Sequence, residues 1–195
     1  QNINGHAYYK LMNDIDLSGT EWTPIGLNGT SVAGFDGSGF AIKGLTIAKG
    51  NGAAYCGLFS TLQNATISNL TIENAAISGT DYCGALAGSA RNTTVRNVQV
   101  VNSTVTGSGY CGGLVGEAKA TTATLCVFNG NLTCSGTHAA GIFATADKAS
   151  SVECSCTSGT INGTGDSTTA AGLVAELRGT VTDCFSSANL TSTGY

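Results

Sequence analysis

Short runs of alternating apolar and polar residues recur along this chain, and each run predicts a β-strand with one buried face. The clearest run is TVRNVQV at 94–100, and TISNLTI at 66–72 repeats its apolar positions. A further copy is AIKGLTI at 41–47, and looser copies are ATLCVF at 123–128 and VTDCFS at 181–186. The recurrence itself indicates a repeat protein.

A second unit recurs between these runs, and its copies share a central glycine. The five copies are YCGLF at 55–59, YCGAL at 82–86, YCGGL at 110–114, AAGIF at 139–143 and AAGLV at 170–174. Their glycines, Gly57, Gly84, Gly112, Gly141 and Gly172, are separated by 27, 28, 29 and 31 residues. The period is therefore nearly constant, and each repeat supplies about three short strands.

A repeat of this size cannot bury its own apolar side, so successive copies must stack on one another. The pattern predicts an all-β fold: a single parallel β-helix, or β-solenoid, with about 28 residues per coil and about 4.8 Å between coils. The preference of parallel crossovers predicts right-handed winding. Equal repeat positions would form inner columns, one of Leu45, Leu70, Val98, Cys126 and Cys184 and another of Leu58, Leu86, Leu114, Ile142 and Leu173.

The whole chain, 1–195, reads as one solenoid domain. Residues 1–40 differ in character and are expected to form an N-terminal cap and the first coil, while 41–195 supply the regular coils. The copy at 151–161 fits poorly, and its alternating Cys154 and Cys156 predict a locally shifted register. We expect the coils to continue beyond Tyr195, because a final open coil would expose unpaired strand edges.

Composition narrows the functional classes. Only 10% of the residues are charged and the net charge is −4, which argues against a nucleic-acid partner. No stretch approaches the roughly 18 continuous apolar residues of a membrane span. The two histidines, His6 and His138, lie far from any paired thiols, so no zinc spacing is present and no cofactor is expected.

Several motifs resemble the GLUG-repeat family of bacterial secreted and surface proteins. Gly-Leu-x-Gly stands as GLVG at 113–116, with weaker forms ALAG at 85–88 and GLFS at 57–60. The lead-in motifs are DIDLSG at 14–19, W-x-P-I-G at 22–26, F-D-G-x-G at 35–39 and I-x-G-L-T-I at 42–47. The resemblance implies a parallel β-helix with adhesin-like annotation. The family also occurs as an accessory region of some IgA-cleaving metallopeptidases, but the H-E-x-x-H zinc motif of such proteases is missing here, so no protease chemistry is implied.

Cys56, Cys83 and Cys111 share one repeat position and are expected to stack as a thiol column in or beside the core. Neighbouring coils would bring their Cα atoms within disulfide range, although stacked Cβ vectors run parallel. Packing as buried thiols is the favoured interpretation, with disulfides or metal contacts as alternatives. Ala140 and Ala171, taken as later occupants of the same position, favour packing.

No catalytic residue is predicted. The carboxylates Asp81, Glu117, Asp147, Asp166, Glu176 and Asp183 are isolated along the chain and are interpreted as solvated charges. Asp14 and Asp16 share one strand face, where a calcium site is the less favoured alternative. Trp22, with Tyr8 and Tyr9, could form a sugar-stacking patch, but packing within the cap is the favoured interpretation.

The chain contains eight N-x-[ST] sequons, which would accept N-glycans if the source secretes through a glycosylating pathway. They are Asn28, Asn64, Asn69, Asn92, Asn102, Asn131, Asn162 and Asn189. The NLT copies follow from the repeat itself.

The leading hypothesis is a non-enzymatic, secreted or cell-surface module that serves as a stalk, a spacer or an adhesive surface. Its expected partners are glycans or host cell-surface proteins. One alternative is a subunit of an extracellular filament that associates end to end. Another is a polysaccharide-acting β-helix enzyme, which would need an acid, a base and a cation site on one face.

Overall fold

A computed structural model describes residues 7–27, 32–48 and 54–193. Every regular element within these residues is a β-strand. The strands stack in parallel as a β-solenoid of about six turns, with about 28 residues between equivalent positions. The all-β parallel solenoid predicted from the repeats is therefore confirmed. None of these residues forms a helix long and apolar enough to span a membrane.

Most of the described strands have two to five residues, but β8, β16 and β20 have eight and β12 has fourteen. The first twelve are β1 (Tyr8–Lys10), β2 (Ile15–Asp16), β3 (Gly34–Asp36), β4 (Ala41–Lys43), β5 (Thr46–Ile47), β6 (Tyr55–Cys56), β7 (Phe59–Gln63), β8 (Thr66–Glu73), β9 (Ala76–Ser78), β10 (Tyr82–Cys83), β11 (Ala87–Arg91) and β12 (Thr94–Gly107). The rest are β13 (Tyr110–Gly112), β14 (Val115–Lys119), β15 (Thr122–Thr124), β16 (Val127–Cys134), β17 (His138–Ala140), β18 (Phe143–Ala146), β19 (Ser151–Glu153), β20 (Cys156–Gly163), β21 (Thr169–Ala171), β22 (Val174–Leu177), β23 (Thr180–Thr182), β24 (Phe185–Ser186) and β25 (Asn189–Ser192).

These strands form three sheets. A long sheet of fifteen strands follows the order β1, β3, β8, β12, β15, β19, β23 along its main path. The second sheet contains β6, β10, β13, β17 and β21, and the third sheet contains β7, β11, β14, β18 and β22. The chain visits the second, third and long sheets in turn, so each regular coil adds to all three.

The register follows the apolar pattern closely. In β12 and β8 the inward residues lie over one another: Val95 over Ile67, Val98 over Leu70 and Val100 over Ile72. The column of Leu58, Leu86, Leu114 and Ile142 lies directly before the strands of the third sheet and is buried, and Leu173 packs against the core. Alternation of side chains along a strand explains why one sequence pattern determines which face is buried.

Two details of the predicted register are wrong. Leu45 does not share a column with Leu70. Its carbonyl accepts from Ala76 N–H, and Phe40 takes the position next to Leu70, since the carbonyl of Phe40 accepts from Thr71 N–H. The misalignment arose because Gly44, which has a φ of +67°, marks the corner after the one that the alignment assumed.

The copy at 151–161 shows no local shift. Val152 pairs with Ala123 and Cys156 pairs with Val127, so both contacts span the same number of residues. Cys154 lies at a corner with a φ of 46°. Cys154 is therefore a corner residue and not part of a strand with a shifted register, and its side chain is exposed.

The corners of the solenoid contain columns of residues in the left-handed conformation. One column holds Asn69, Asn97, Leu125, Cys154 and Asp183, with φ between 46° and 56°. Asparagine tolerates this region better than most residues because its short amide forms local hydrogen bonds. The amides also bond between coils, since Asn97 Nδ2 donates to Asn69 Oδ1 at 3.0 Å and Asn69 Nδ2 donates to Asp36 Oδ1 at 3.1 Å.

Burial decreases toward the last described coil. The inward-facing apolar residues of β8 to β18 are almost fully buried, whereas Leu177, Phe185 and Leu190 are exposed. Phe185 keeps 66% of its surface accessible. The strands β21 to β25 have coil neighbours on one side only within the described residues.

Candidate binding groove between the second and third sheets

The structure places Cys56, Cys83 and Cys111 at paired positions on β6, β10 and β13. All three side chains are buried, and all eight cysteines of the chain are free thiols. The next occupants of the column are Ala139 and Ala170, not the predicted Ala140 and Ala171. The central glycine of that copy, Gly141, follows two alanines, so aligning glycines displaced the assignment by one residue.

A fourth thiol, Cys134, joins the column from the long sheet. Its in-register neighbour Gly107 leaves room for sulfur, because a Cβ there would lie 2.6 Å from Cys111 Sγ and 2.9 Å from Cys83 Sγ. In the next coil the sizes are exchanged, with Cys134 at the glycine position and Ala139 at the cysteine position. The total volume is thereby nearly conserved, which close-packed cores require.

The thiol column packs as a small apolar ladder. Hydrogen bonding to Cys83 together with burial raises the pKa of Cys56, and hydrogen bonding to Cys134 and Cys83 together with burial raises the pKa of Cys111. Burial also raises the pKa of Cys126 to about 11. The described residues contain no group of three or more His, Cys, Asp or Glu side chains that could hold a metal ion.

The residues that precede these thiols form a stack of rings outside the core. Tyr55, Tyr82, Tyr110 and His138 lie over one another with centroids 5.1, 4.9 and 5.2 Å apart and planes within 10° of parallel. Each ring covers the face of the next, so the edges of the two inner rings, Tyr82 and Tyr110, are what a ligand could reach. The alternation of a β-strand explains why one residue of each Tyr-Cys pair points outward and the other inward.

A buried carboxylate lies beside this ring stack. Glu117, on β14, keeps only 11% of its side chain exposed and accepts from Lys119 Nζ at 2.6 Å, Ser89 Oγ at 3.0 Å and Arg91 Nη2 at 3.3 Å. Burial opposes the charge of Glu117, but the hydrogen bonds from Lys119 and Ser89 outweigh it and lower its pKa. We call Glu117, Arg91 and Lys119 the first ion cluster.

A second ion cluster lies farther along the same face. Arg178 donates to Glu176 Oε1 through Nε at 3.0 Å and through Nη2 at 2.8 Å. His138 Nε2 lies 3.8 Å from Glu176 Oε2, and His138 Nδ1 is buried without a hydrogen-bond partner among the described residues. Through the contact between His138 and Glu176, this cluster links the last ring of the stack to β22 of the third sheet.

Between the clusters runs a groove parallel to the solenoid axis, with the ring stack as one wall and the third sheet as the other. Its outward column is Ser89, Glu117, Thr145 and Glu176, since these residues pair from coil to coil. A cavity of about 200 Å³ is lined by Tyr82, Tyr110, Glu117, Ala118, Lys119, Thr145, Ala146, Asp147, Glu176 and Arg178. The groove can offer paired charges and hydroxyl groups to a polar ligand.

The groove was not predicted from the sequence, in which Glu117 and Glu176 were interpreted as isolated, solvated charges. Arg91 and Lys119 pair in register, and Thr145 separates Glu117 from Glu176 in the same column. Charged residues recurring at the repeat spacing were the available signal, but it can be used only after the coil register is known.

Asp14 and Asp16, considered above for a calcium site, form hydrogen bonds outside the groove. Asp14 bonds to Lys43 Nζ at 2.8 Å and to the N–H of Ala41, and these contacts lower its pKa. Hydrogen bonds from the Ser18 side chain and from the Ser18 N–H lower the pKa of Asp16. The two carboxylates therefore serve different turns. His6 lies outside the described residues.

The three aromatic residues Tyr8, Tyr9 and Trp22 do not form one patch. Trp22 Nε1 donates to Leu58 O at 3.1 Å, and Trp22 and Tyr9 pack against the core. Tyr8 is 79% exposed, and its ring lies against Gly34, where an added Cβ would come within 2.3 Å of the ring. Packing, the favoured interpretation, thus describes Trp22 and Tyr9.

The sequons occupy two kinds of position. Asn64, Asn69, Asn92 and Asn102 are left-handed corner residues, and Asn92 Nδ2 donates to Asn64 Oδ1 at 3.2 Å. The others that the structure describes, Asn131, Asn162 and Asn189, lie in strands of the long sheet. Asn28 lies outside the described residues. Corner geometry gives the first group a structural role, and N-glycosylation stays a prediction.

Comparison with known proteins gives one match. Residues 22–102, less than half of the chain, match the family model of the M26 IgA1-specific metallo-endopeptidase N-terminal region. No curated protein and no solved structure matches the chain. The match supports a resemblance to a region of secreted or surface proteins of bacteria, and it covers the lead-in and the first coils, including Arg91 of the groove.

Proposed function

We propose that the chain is a non-enzymatic module of a secreted or surface-displayed bacterial protein, and that the groove is its binding surface. The observation that carries this proposal is the groove itself, where a ring stack and two ion clusters are held in register by the coils. The match of residues 22–102 to the N-terminal region of a surface metallopeptidase family supports the location. The GLUG resemblance supports the adhesin-like role.

The solenoid is well suited to presenting such a surface. Each coil is fixed to its neighbours by parallel pairing in three sheets, so the groove has a defined geometry that costs little to organise on binding. The same stacking also makes the module a rigid spacer, with about 4.8 Å of length for each coil. Spacer and binding surface are compatible roles for one module.

A polysaccharide-acting enzyme is the less favoured alternative. A glycosidase needs one carboxylic acid whose pKa is raised so that it can donate a proton near neutral pH. The pKa of Glu117 is lowered instead, because Lys119 and Ser89 stabilise its charged form. Glu176 is tied to Arg178 by two hydrogen bonds. These contacts favour fixed ion pairs over proton transfer.

A binding assay tests the proposal. The purified chain would be applied to a glycan array and to immobilised host cell-surface proteins, beside a variant with Arg91→Gln and Lys119→Gln. Binding by the wild type and loss of binding in the variant are expected. Wild-type binding that the variant retains would move the surface away from the groove, and no binding at all would leave only the spacer role. Release of new reducing ends or unsaturated sugars from a polysaccharide panel would establish the enzyme.

A further inference from the structure

One coil turns two cysteines outward at a corner where its neighbours turn one cysteine inward. In successive coils the triplets at this corner are Leu125-Cys126-Val127, Cys154-Ser155-Cys156 and Asp183-Cys184-Phe185. The central thiols Cys126 and Cys184 belong to the core or pack against it. In the middle triplet the inward residue is Ser155, which is 2% exposed. Core packing therefore does not explain the cysteines on either side of Ser155.

Hydrogen bonds of Ser155 hold the backbone of this corner in place. Its hydroxyl group donates to Glu153 O at 2.7 Å and accepts from the Cys126 N–H at 3.0 Å. Because side chains alternate along a strand, Cys156 points outward at the start of β20. Cys154 occupies the left-handed corner before it, with a φ of 46°. The two thiols are thus separated only by a fixed, inward-facing residue.

We call Cys154 and Cys156 the exposed thiol pair, because solvent reaches them more readily than the other cysteines. Cys154 is exposed and Cys156 is partly exposed, and neither sulfur forms a hydrogen bond within the part of the chain that the structure describes. Five of the other thiols are buried. The sixth, Cys184, accepts from the Ser155 N–H at 3.4 Å and donates to Thr182 O at 3.1 Å. Thiols react as thiolates and where a reagent can reach them, so exchange is expected first at the exposed thiol pair.

The spacing of the exposed thiol pair allows a disulfide bond. Two residues separated by one lie about 6.6 Å apart in an extended strand, at a rise of about 3.3 Å per residue. Disulfides span Cα distances of about 4.4–6.8 Å, so a bond between Cys154 and Cys156 would lie near the long end of that range. Strained or exposed disulfides are the ones that are readily reduced. A bond at this corner would therefore form and break reversibly.

We propose that the exposed thiol pair is a site of reversible exchange with low-molecular-weight disulfides. The thiolate of Cys154 attacks one sulfur of the small disulfide, forms a mixed disulfide and expels the other half as a thiolate. The thiolate of Cys156 then attacks the Cys154 sulfur, the second small thiolate leaves, and a Cys154–Cys156 disulfide remains. The two cysteines lose two protons and two electrons, which the small disulfide takes up as two thiols. The site lies on the long sheet and its corner, away from the two sheets that form the groove.

Oxidised glutathione is the probe that tests the proposal. The folded, fully reduced chain would be incubated with mixtures of oxidised and reduced glutathione, quenched with acid and mapped by peptide mass spectrometry. We expect the loss of two hydrogen atoms from the peptide that contains Cys154 and Cys156, and its reversal by excess reduced glutathione without unfolding. Iodoacetamide should label the reduced pair at least about tenfold faster than the buried thiols, which react only when the chain opens locally.

Serine variants separate the two steps of the exchange. Cys156→Ser should stop the reaction at the mixed disulfide, so that Cys154 retains one glutathione. Cys154→Ser should prevent the internal bond. Cys184→Ser is the matched control, because it removes a thiol of the next coil while leaving both exposed thiols, and the extent of oxidation should not change. Thermal unfolding would confirm that each variant is folded.

Three results would overturn the proposal. The first is an absence of both the mixed and the internal disulfide in the wild type at every glutathione ratio. The second is a loss of two hydrogen atoms that persists in Cys156→Ser, because Cys154 would then pair with another cysteine, such as Cys184 in the next coil. The third is oxidation confined to the buried thiol column. Failure of the groove to bind any partner would leave this site unaffected, so the two proposals are tested independently.

Discussion

The central coils and the last described coil are made from the same repeat, yet they differ in how much of their apolar surface is buried. Leu114, in a central coil, is fully buried. Leu173 lies two coils farther along the same column and is only partly buried. The sequence at the two positions is the same residue in the same motif. Burial in a solenoid is therefore a property of having neighbours on both sides.

Removing the same side chain from both coils should show the largest effect. Leu114→Ala leaves a cavity between two packed coils, and we expect a loss of about 2–5 kcal/mol in the free energy of unfolding. Leu173→Ala should cost less than about 2 kcal/mol, because that site can relax toward solvent. Urea denaturation followed by circular dichroism measures both. Equal losses would show that the last coil is covered in solution.

The sulfur-filled corner of the central coils offers a second test. Gly107→Ala places a methyl group against Cys111 Sγ and Cys83 Sγ, so we expect overpacking to cost about 1–3 kcal/mol. Adding Cys111→Ala should recover part of this loss, because the next coil already combines a side chain at the glycine position, Cys134, with an alanine at the cysteine position, Ala139. Urea denaturation of the single and double variants gives the coupling. Simple additivity would contradict the size exchange.

The left-handed corners give a smaller expected effect. Asn97→Ala loses the amide bond to Asn69 and forces alanine to a φ near 52°, which we expect to cost about 1–2 kcal/mol. Asn97→Gly allows the left-handed φ without strain, so it should lower the free energy of unfolding by less than Asn97→Ala does. Asp183→Ala at the same corner of the last described coil should affect global unfolding least, since an outer coil opens at low cost. Hydrogen exchange of the two corners would report this difference directly.

The smallest effect concerns pH and contrasts two carboxylates of one column. The pKa of Glu117 is lowered from its ordinary 4.5, so its contribution to stability is present above that pH and is lost as the pH falls through the lowered value. Glu117→Gln should therefore reduce the loss of stability that the wild type shows as the pH falls below about 4.5. Glu176→Gln removes a more exposed ion pair and should lower the urea midpoint at neutral pH by less than Glu117→Gln does. Urea midpoints measured at neutral pH and at acidic pH would test both.

Most of the fold could be predicted because the same spacing of apolar residues recurs in successive coils. Val95, Val98 and Val100 reproduce the spacing of Ile67, Leu70 and Ile72, and that spacing was enough to predict their pairing. The errors fell where two corners look alike in sequence: Gly44 was matched to the corner of Asn69 but lies at the next one. Local residue types could not choose between these corners, because either tolerates a left-handed residue.

The candidate site was harder to predict for a physical reason. Glu117 pairs in register with Ser89, and Lys119 with Arg91, so the charges meet only across the coil interface. An error of one residue, like the one made at Ala140, would have sent those side chains to the opposite face. The coil register determines which charged residues are neighbours. Ion pairs across the coil interface can therefore be predicted only when the register is known.

The sequence by itself determined the period, the strand-forming runs and most of the inward columns. The reason is that alternation of apolar and polar residues within each strand decides which side chains face inward. Tertiary structure alone decided which charges meet at Glu117, where Cys134 joins the thiol column, and how far the last coil is buried. These depend on contacts between residues about 28 positions apart along the chain. A single coil contains no information about its neighbour's register, and it is at that contact that the groove is formed.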